Sequence, residues 1–306
     1  MSKFLTSIPF QKLKGNLLLN EPMSKHTSWR VGGIADGAYL PADLEDLGNF
    51  LGQLDPVCPV LMTGLGSNVL VRDKGYRGVV VLTNPALNLL KVEGQSNKNI
   101  VYAEAGVPSP KLAKFAANNS LEGLEFLAGV PGTVGGALAM NAGCYGKETW
   151  QVVSKVRTVN KQGVYFLRYP KDFCIGYRDV ASKSAMDEFF VAGWFETSRG
   201  FKKDSLTKIK ELLKHRLKTQ PIHQPNAGSV FRNPPGGYAA KLIDECGLKG
   251  FRVGGASVSR KHANFFVNTG DATAKDFESL MVKVKNAVLE QSGIELINEV
   301  VVVGDG

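Results

Sequence analysis

The chain has 306 residues, 43% of them apolar and 21% charged, with a net charge of +9. That is enough length for two or three domains of ordinary globular composition, and no apolar run reaches the roughly 18 residues a membrane helix needs. Four scattered cysteines, Cys58, Cys144, Cys174 and Cys246, form no CxxC pair. This argues against a disulfide framework or a zinc site and for reduced, mostly buried thiols, with no metal expected.

The opening stretch, Met1 to Asn20, mixes Lys3, Lys12 and Lys14 with short apolar runs and has no apolar block before a small-residue cleavage site. No secretory leader is expected, and a cytoplasmic location follows. Leu44, Leu47 and Leu51 share helical spacing. Strand-like runs follow at Val60–Met62, Val69–Val71, Gly78–Leu82 and Ile100–Ala103, separated by turn residues. Ser109 before Pro110 predicts a helix start with a capping serine, Leu112 and Phe115 lying behind it. Two more strands are expected at Val152–Val159 and Phe189–Phe195.

Near residue 200 the texture changes. Leu206, Ile209, Leu213 and Leu217 make one helical stripe behind a capping Asp204, and Phe277, Leu280, Met281, Val284 and Val288 make another, closed by Gly293. Strands are expected at Gly254–Val258 and Phe265–Asn268, with a last one over Glu295–Val303. These elements predict an α+β protein with a boundary near residue 200.

Positive charge concentrates at Lys202, Lys203, Lys208, Lys210, Lys214, Arg216 and Lys218, against only Asp204 and Glu211. A solvated helix face accounts for this, and so does a field that attracts a polyanionic small molecule. No arginine-rich tail, zinc finger or RNA-recognition signature points to nucleic acid.

Glycine clusters in three places: Trp29–Ala35, Thr63–Val69 and Gly129–Ala137. Backbone N–H groups of such loops can cradle an anion, because no Cβ intervenes, although each loop alone also reads as a tight turn. The second loop superficially matches a dinucleotide fingerprint, but Val69 takes its sixth position and a strand, not a helix, is expected to follow. That excludes the Rossmann reading. No Walker A sequence is present.

With their flanks, two of these loops become specific: TGLGSNVLVRD (63–73) and GVPGTVGGALAMNAGCYGKE (129–148). They are similar to the FAD pyrophosphate loops of the p-cresol-methylhydroxylase-type flavin fold. More narrowly they resemble the UDP-N-acetylenolpyruvoylglucosamine reductase (UDP-N-acetylmuramate dehydrogenase) family. HTSWRVGGIAD (26–36), IGYRD (175–179), QPNAGSVFRNP (224–234), GLKGFRVGGASVSRKHANFFVN (247–268) and ELINEV (295–300) fit the same family in order.

The resemblance implies a two-lobed FAD-binding region over 1–200, with subdomains 1–85 and 86–200, followed by a smaller α+β substrate-binding domain over 201–306. FAD would be held noncovalently by Gly64, Leu65, Gly66, Ser67, Asn68 and Val69 of one loop. Gly129, Pro131, Gly132, Thr133, Gly135, Gly136 and Ala137 of the other would complete the cofactor site. NADPH would be the hydride donor. The implied reaction reduces a UDP-sugar enolpyruvyl ether, hydride passing from flavin N5 to C3 and a proton to C2. The implied partners are UDP-sugar and NADPH, with neither nucleic acid nor membrane, and the chain acting as a monomer.

Hydride addition to a vinyl ether conjugated with a carboxylate needs positive charge at that carboxylate and an acid at C2. Arg178 matches the family's carboxylate-binding arginine, where a guanidinium fork is suited to the task; its plainer reading is an ion pair with Asp179. Ser229 matches the family's proton donor, its plainer reading being a turn serine. Glu299 matches the third catalytic residue. If 295–303 is one strand, Ile297, Glu299, Val301 and Val303 share a face, and a carboxyl among apolar neighbours would have a raised pKa; a glutamate pointing to water is the alternative. Asn233 and His262 fall where the family contacts the diphosphate side, His262 replacing glutamine, and Tyr177 would line the sugar pocket.

The stretch from Tyr177 to Arg216 lacks the long tyrosine-bearing loop of one branch, so the chain resembles the shorter branch, and Thr219 stands where the longer branch has a diphosphate-binding lysine. Two rivals remain. One is another oxidoreductase on the same flavin fold, acting on a hydroxy acid or lactone. Many of these tether FAD covalently, whereas here His26 is the single histidine before residue 200 and precedes the phosphate loops. The other rival is a basic anion-binding module without catalysis.

Overall fold

The computed structural model describes Leu5 and residues 11–95, 98–184 and 187–306. Part of the opening stretch that the leader reading used, residues 1–4 and 6–10, lies outside the described residues. The chain divides into two units. One takes the residues up to Leu19, Asp36–Gly64 and Gly78–Lys214; the other takes Asn20–Ala35, Leu65–Arg77 and His215–Gly306. Chain order and spatial unit therefore do not coincide, since two short N-terminal segments fold with the C-terminal part.

In the first unit the leucine spacing at 44, 47 and 51 gives the helix Leu44–Gln53, capped by Asp43, whose carboxylate accepts from the Asp46 N–H at 2.8 Å. Leu47, Phe50 and Leu51 are buried with Val79 and Val81, from the strand Tyr76–Leu82. That strand runs parallel to Val60–Thr63, with Val60 opposite Val79. The larger sheet is antiparallel. Its order is Tyr165–Arg168, Val153–Asn160, Glu188–Arg199, Lys98–Glu104 and Leu90–Gln95, and Leu121–Glu122 also pairs with Glu188–Arg199. Helices Ser109–Asn118 and Val134–Ala139 bury Leu112, Ala116, Val134 and Leu138 in one core with Val101, Val156 and Phe195 of this sheet.

The second unit is built on an antiparallel sheet in the order Asn226–Ser229, Phe265–Asn268, Ala256–Val258, Arg252–Val253. The apolar stripe predicted around Phe277 is the helix Ala274–Ser292. It opens with a Thr273/Asp276 capping box and closes at Gly293 with φ +69°, the left-handed conformation glycine adopts without strain. Its buried face packs with Ala256, Val258 and Phe266. Asp73, at the end of the second glycine motif, accepts from the Ala274 and Lys275 N–H groups, each at 2.9 Å. It therefore serves this helix N-terminus. Trp29, in the first glycine cluster, is fully buried, donates to the Phe266 carbonyl at 2.8 Å and stacks on Phe277.

Several expectations need correction. The helix after Pro108 has Pro108 at its N-cap and no side-chain cap; Ser109 is its first residue, and the Ser109 hydroxyl is buried without a hydrogen-bond partner. The basic helix begins at Lys202, so Asp204 lies inside its first turn, and Leu213 and Leu217 of its stripe are exposed. The run Gly254–Val258 is a hairpin, Arg252–Val253 pairing with Ala256–Val258. The last strand is only Val301–Val303, parallel to Val69–Val71. Ahead of it Leu296 and Val300 are buried while Ile297 is 60% exposed. The face proposed for Ile297, Glu299 and Val301 is therefore not a buried apolar one: Ile297 and Val301 are both exposed and Glu299 is half-buried, while Leu296 and Val300 lie on the opposite, buried face. All four cysteines are free thiols, but only Cys58 is buried and Cys174 is exposed. Among the described residues no helix is long and apolar enough to cross a membrane.

Candidate active site

The strand Val69–Val71 directly follows the second glycine loop, which removes the dinucleotide-fold reading on structural grounds. Among the described residues, the backbone N–H groups of Leu65, Gly66, Ser67 and Asn68 have no hydrogen-bond acceptor. The same holds for Gly132, Thr133 and Gly136 in the third loop. Consecutive unpaired N–H groups on glycine-rich backbone are the donor set that phosphate requires. A Cβ on Gly64 would lie 2.2 Å from Thr133 Oγ1, whereas one on Gly136 would meet nothing within 4 Å. Ser109 adds its buried hydroxyl close by, its own N–H donating to the Gly132 carbonyl at 3.0 Å. Each loop, taken by itself, offers donors that fit a phosphate of a cofactor such as FAD. The first glycine cluster does different work: a Cβ on Gly33 would lie 2.2 Å from the Asp73 carbonyl oxygen, so glycine there permits backbone packing.

Arg178 sits at the tip of the hairpin Phe173–Gly176/Asp179–Ser182, with φ +55°. A bulky residue rarely adopts that region without over-determining contacts. Those contacts come from its guanidinium, which donates to the carbonyls of Asn141 at 3.2 Å and Gly143 at 2.9 Å and lies 4.9 Å from the Tyr177 ring centroid. Tyr177 itself is exposed. Asn141 is buried; its Nδ2 donates to the Gly176 carbonyl at 3.0 Å and to Glu148 Oε2 at 2.8 Å, and its Oδ1 accepts from the Trp150 N–H. Sequence reasoning quoted Asn141 inside a motif and gave it no role.

In the second unit Ser229 and Glu299 lie on adjoining backbone. The Glu299 N–H donates to the Val230 carbonyl at 2.8 Å, and both residues are half-buried. Among the described residues the Ser229 hydroxyl has no hydrogen-bond partner. Ser229 faces Phe265 across the sheet after a bulge in its strand, where Gly228 has φ +73°. A bulge re-aims the side chain that follows it. The second glycine loop is tied to this pair: Asn68 Nδ2 donates to the Glu299 carbonyl at 3.0 Å and the Val301 N–H to the Asn68 carbonyl. Ser28, quoted inside the segment 26–36 without a role of its own, donates to the Gly66 and Asn226 carbonyls and so joins loop to strand.

Asn233 uses its side-chain oxygen to accept from the Ala239 N–H at 3.1 Å, at the start of the helix Ala239–Glu245. His262 rests edge-on against Phe265 at 4.6 Å, and its buried Nδ1 has no partner. Burial, and then the charge of Lys249, hold its pKa below the ordinary histidine value.

Residues 35–166 match the family model described as FAD binding domain. With the fold described above, that defines an FAD-dependent oxidoreductase on the p-cresol-methylhydroxylase-type fold. Residues 220–303 match the model of the UDP-N-acetylenolpyruvoylglucosamine reductase C-terminal domain. The UDP-N-acetylenolpyruvoylglucosamine reductase of Thiobacillus denitrificans is 50% identical over 303 residues, covering 96% of this chain and 94% of its own. That of Methylococcus capsulatus is 51% identical over 292 residues, covering 95% and 94%. The crystal structure of the Thermus caldophilus enzyme superposes with a TM-score of 0.79 at 31% identity, covering 95% of this chain and all of that one. The chain belongs to the UDP-N-acetylenolpyruvoylglucosamine reductase family.

Proposed function

We propose that the protein reduces UDP-N-acetylglucosamine enolpyruvate to UDP-N-acetylmuramate at the expense of NADPH, in the cytoplasm, as a step toward peptidoglycan. FAD, when bound, supplies the redox chemistry between donor and substrate. Residues 64–69 and 129–137 hold its phosphates, and the attachment is noncovalent. His26, the histidine nearest in sequence to these loops, is engaged with Glu21 at 2.9 Å. Burial alone would raise the Glu21 carboxyl, but hydrogen bonds from His26 and Lys25 keep it below its ordinary value.

The chain's own residues then have defined tasks. Arg178 receives the substrate carboxylate, where negative charge grows as the double bond is reduced. Ser229 delivers a proton to C2. Glu299 stands beside Ser229 to hydrogen-bond the enol and steady the proton. Tyr177, Asn233 and His262 contact the sugar and diphosphate, Asn233 through its amide donor. Substrate contacts are drawn mainly from residues 201–306.

The observation that supports this reading best is the Glu299–Val230 backbone bond. It sets a carboxyl and an otherwise unbonded serine hydroxyl on adjoining backbone. The test is an anaerobic flavin spectrum of the purified protein. NADPH should bleach it, and the enolpyruvyl sugar should restore it with one equivalent of UDP-N-acetylmuramate formed. Protein without flavin colour, or reduced flavin indifferent to that sugar, would sink the reading.

A further inference from the structure

The second unit holds a cavity of about 550 Å³ that no role above uses. Its floor is the sheet face opposite the helices. Cross-strand pairing puts Val267, Ser257 and Arg252 in one row on that face, while their neighbours Phe266, Val258 and Ala256 pack into the helical core. Ser229, paired with Phe265, belongs to the same face. The walls carry Arg260, Lys261 and His223. The lining includes no acid, and among the described residues neither the Arg252 nor the Arg260 guanidinium has a hydrogen-bond or carboxylate partner. Arg260 lies across Gly250, where an added Cβ would come 3.0 Å from its Cζ. Lys261 is held at the wall by donating to the Leu217 carbonyl, which leaves it further N–H donors.

Two unpaired guanidinium forks with a lysine, in a cavity of nucleotide size and without a competing carboxylate, suit a dianionic phosphate. Position selects which one. Strands lie about 4.8 Å apart, so Arg252, three strands from Ser229, is roughly 14 Å from it across the sheet. That is the scale separating the two ends of an extended dinucleotide. Asn233 and His262, assigned above to the UDP diphosphate, do not line this cavity. We infer that the Arg252–Arg260–Lys261 cavity receives the 2′-phosphate of NADPH and sets the preference for NADPH over NADH. This inference rests on the proposed donor.

The test titrates the FAD-loaded protein with 2′,5′-ADP, 5′-AMP and UDP by calorimetry, as wild type and as the double variant Arg252→Ala/Arg260→Ala. Both arginines are exposed, so the variant should fold with an unchanged melting temperature. Wild type should bind 2′,5′-ADP more tightly than 5′-AMP. The variant should lose about 10–100-fold for 2′,5′-ADP, the worth of one or two charged hydrogen bonds, with UDP affected far less. Its ratio of kcat/KM for NADPH over NADH should fall by a similar factor, and Arg252→Lys/Arg260→Lys should recover part. Unchanged 2′,5′-ADP affinity, with NADPH still reducing the wild-type flavin, overturns the cavity assignment alone. An equal loss for UDP overturns it too, in favour of the substrate diphosphate. Failure of NADPH to reduce the wild-type flavin strikes the donor reading itself, and shows before any variant is made.

Discussion

The Arg178 guanidinium donates to the main-chain carbonyl of Asn141, while the Asn141 side chain donates to the carbonyl of Gly176, where the strand enters the Arg178 turn. One buried asparagine thus fixes both where the arginine leaves the backbone and where its charged head lies. Asn141 itself has φ +41°, a region it tolerates better than most residues.

Arg178→Ala should lower kcat by about 10² to 10³, as expected for a contact that strengthens as charge develops, and should also lower the melting temperature, because it removes the guanidinium–carbonyl bonds that hold the φ +55° backbone. Arg178→Lys keeps the charge without the planar fork and should lose less. Asn141→Ala should lower kcat and also destabilise the fold by about 2–5 kcal/mol, because it leaves buried partners unsatisfied. If the two act as one device, the Arg178→Ala/Asn141→Ala variant should be little slower than Arg178→Ala. Additive losses in steady-state kinetics would mean that Asn141 supports only the fold.

Gly136 separates cofactor binding from folding better than Gly64 does. A side chain at Gly64 would strike Thr133 and disturb the protein, whereas a Cβ at Gly136 meets nothing of the protein. Gly136→Leu should therefore fold with a circular dichroism spectrum like that of wild type and yet purify colourless. It should also lack the rise in melting temperature that added FAD gives wild type. Full flavin occupancy in Gly136→Leu would remove the third loop from the pyrophosphate site.

His262 predicts a pH dependence of stability. Its folded pKa is depressed, chiefly by burial and then by Lys249. The unfolded chain therefore takes up a proton more readily than the folded one once the pH falls below about 6.5, the ordinary histidine value. Stability is fully present above that pH and declines as the pH drops through the folded pKa. His262→Gln, which cannot titrate, should flatten this part of a melting temperature–pH curve. Parallel curves for the two proteins between pH 7 and 5 would exclude the effect.

Much of this architecture could be read from the sequence. Val69–Val71 and Phe265–Asn268 are strands with the bounds their apolar runs suggested, and Gly293 ends its helix. The glycine loops are visible in the sequence because backbone that no Cβ may cover leaves a compositional mark. What stayed hidden depends on long-range contacts. No local pattern marks Asp73 as the partner of a helix two hundred residues later, Ser28 as the clasp between loop and strand, or Asn141 as the anchor of Arg178. The last strand is shorter than Glu295–Val303 because its β-branched run starts only at Val300, while ahead of it Phe231 and Asn298 meet through one isolated bridge. Asp204 and Ser109 were misplaced as caps because helix starts shift by one or two residues without changing the apolar stripe.

Ser229 can be tested by separating two halves of the proposed reaction. Reduction of the enzyme by NADPH requires no proton at the sugar's C2, so Ser229→Ala should bleach in stopped-flow absorbance at a near-normal rate. Recovery of the colour on adding the enolpyruvyl sugar should slow by about 10² to 10⁴, the usual worth of a positioned general acid. Ser229→Cys keeps a donor at an altered length and should regain part of that rate. Folding should hardly change, because the serine hydroxyl has no partner among the described residues and its loss orphans none. Glu299→Gln should slow the same second phase, since the Glu299 N–H is bonded to the carbonyl of Val230, the residue after Ser229. If Ser229→Ala slowed both phases equally, or neither, the hydroxyl would be a turn serine aimed by the Gly228 bulge and not the donor of the proton.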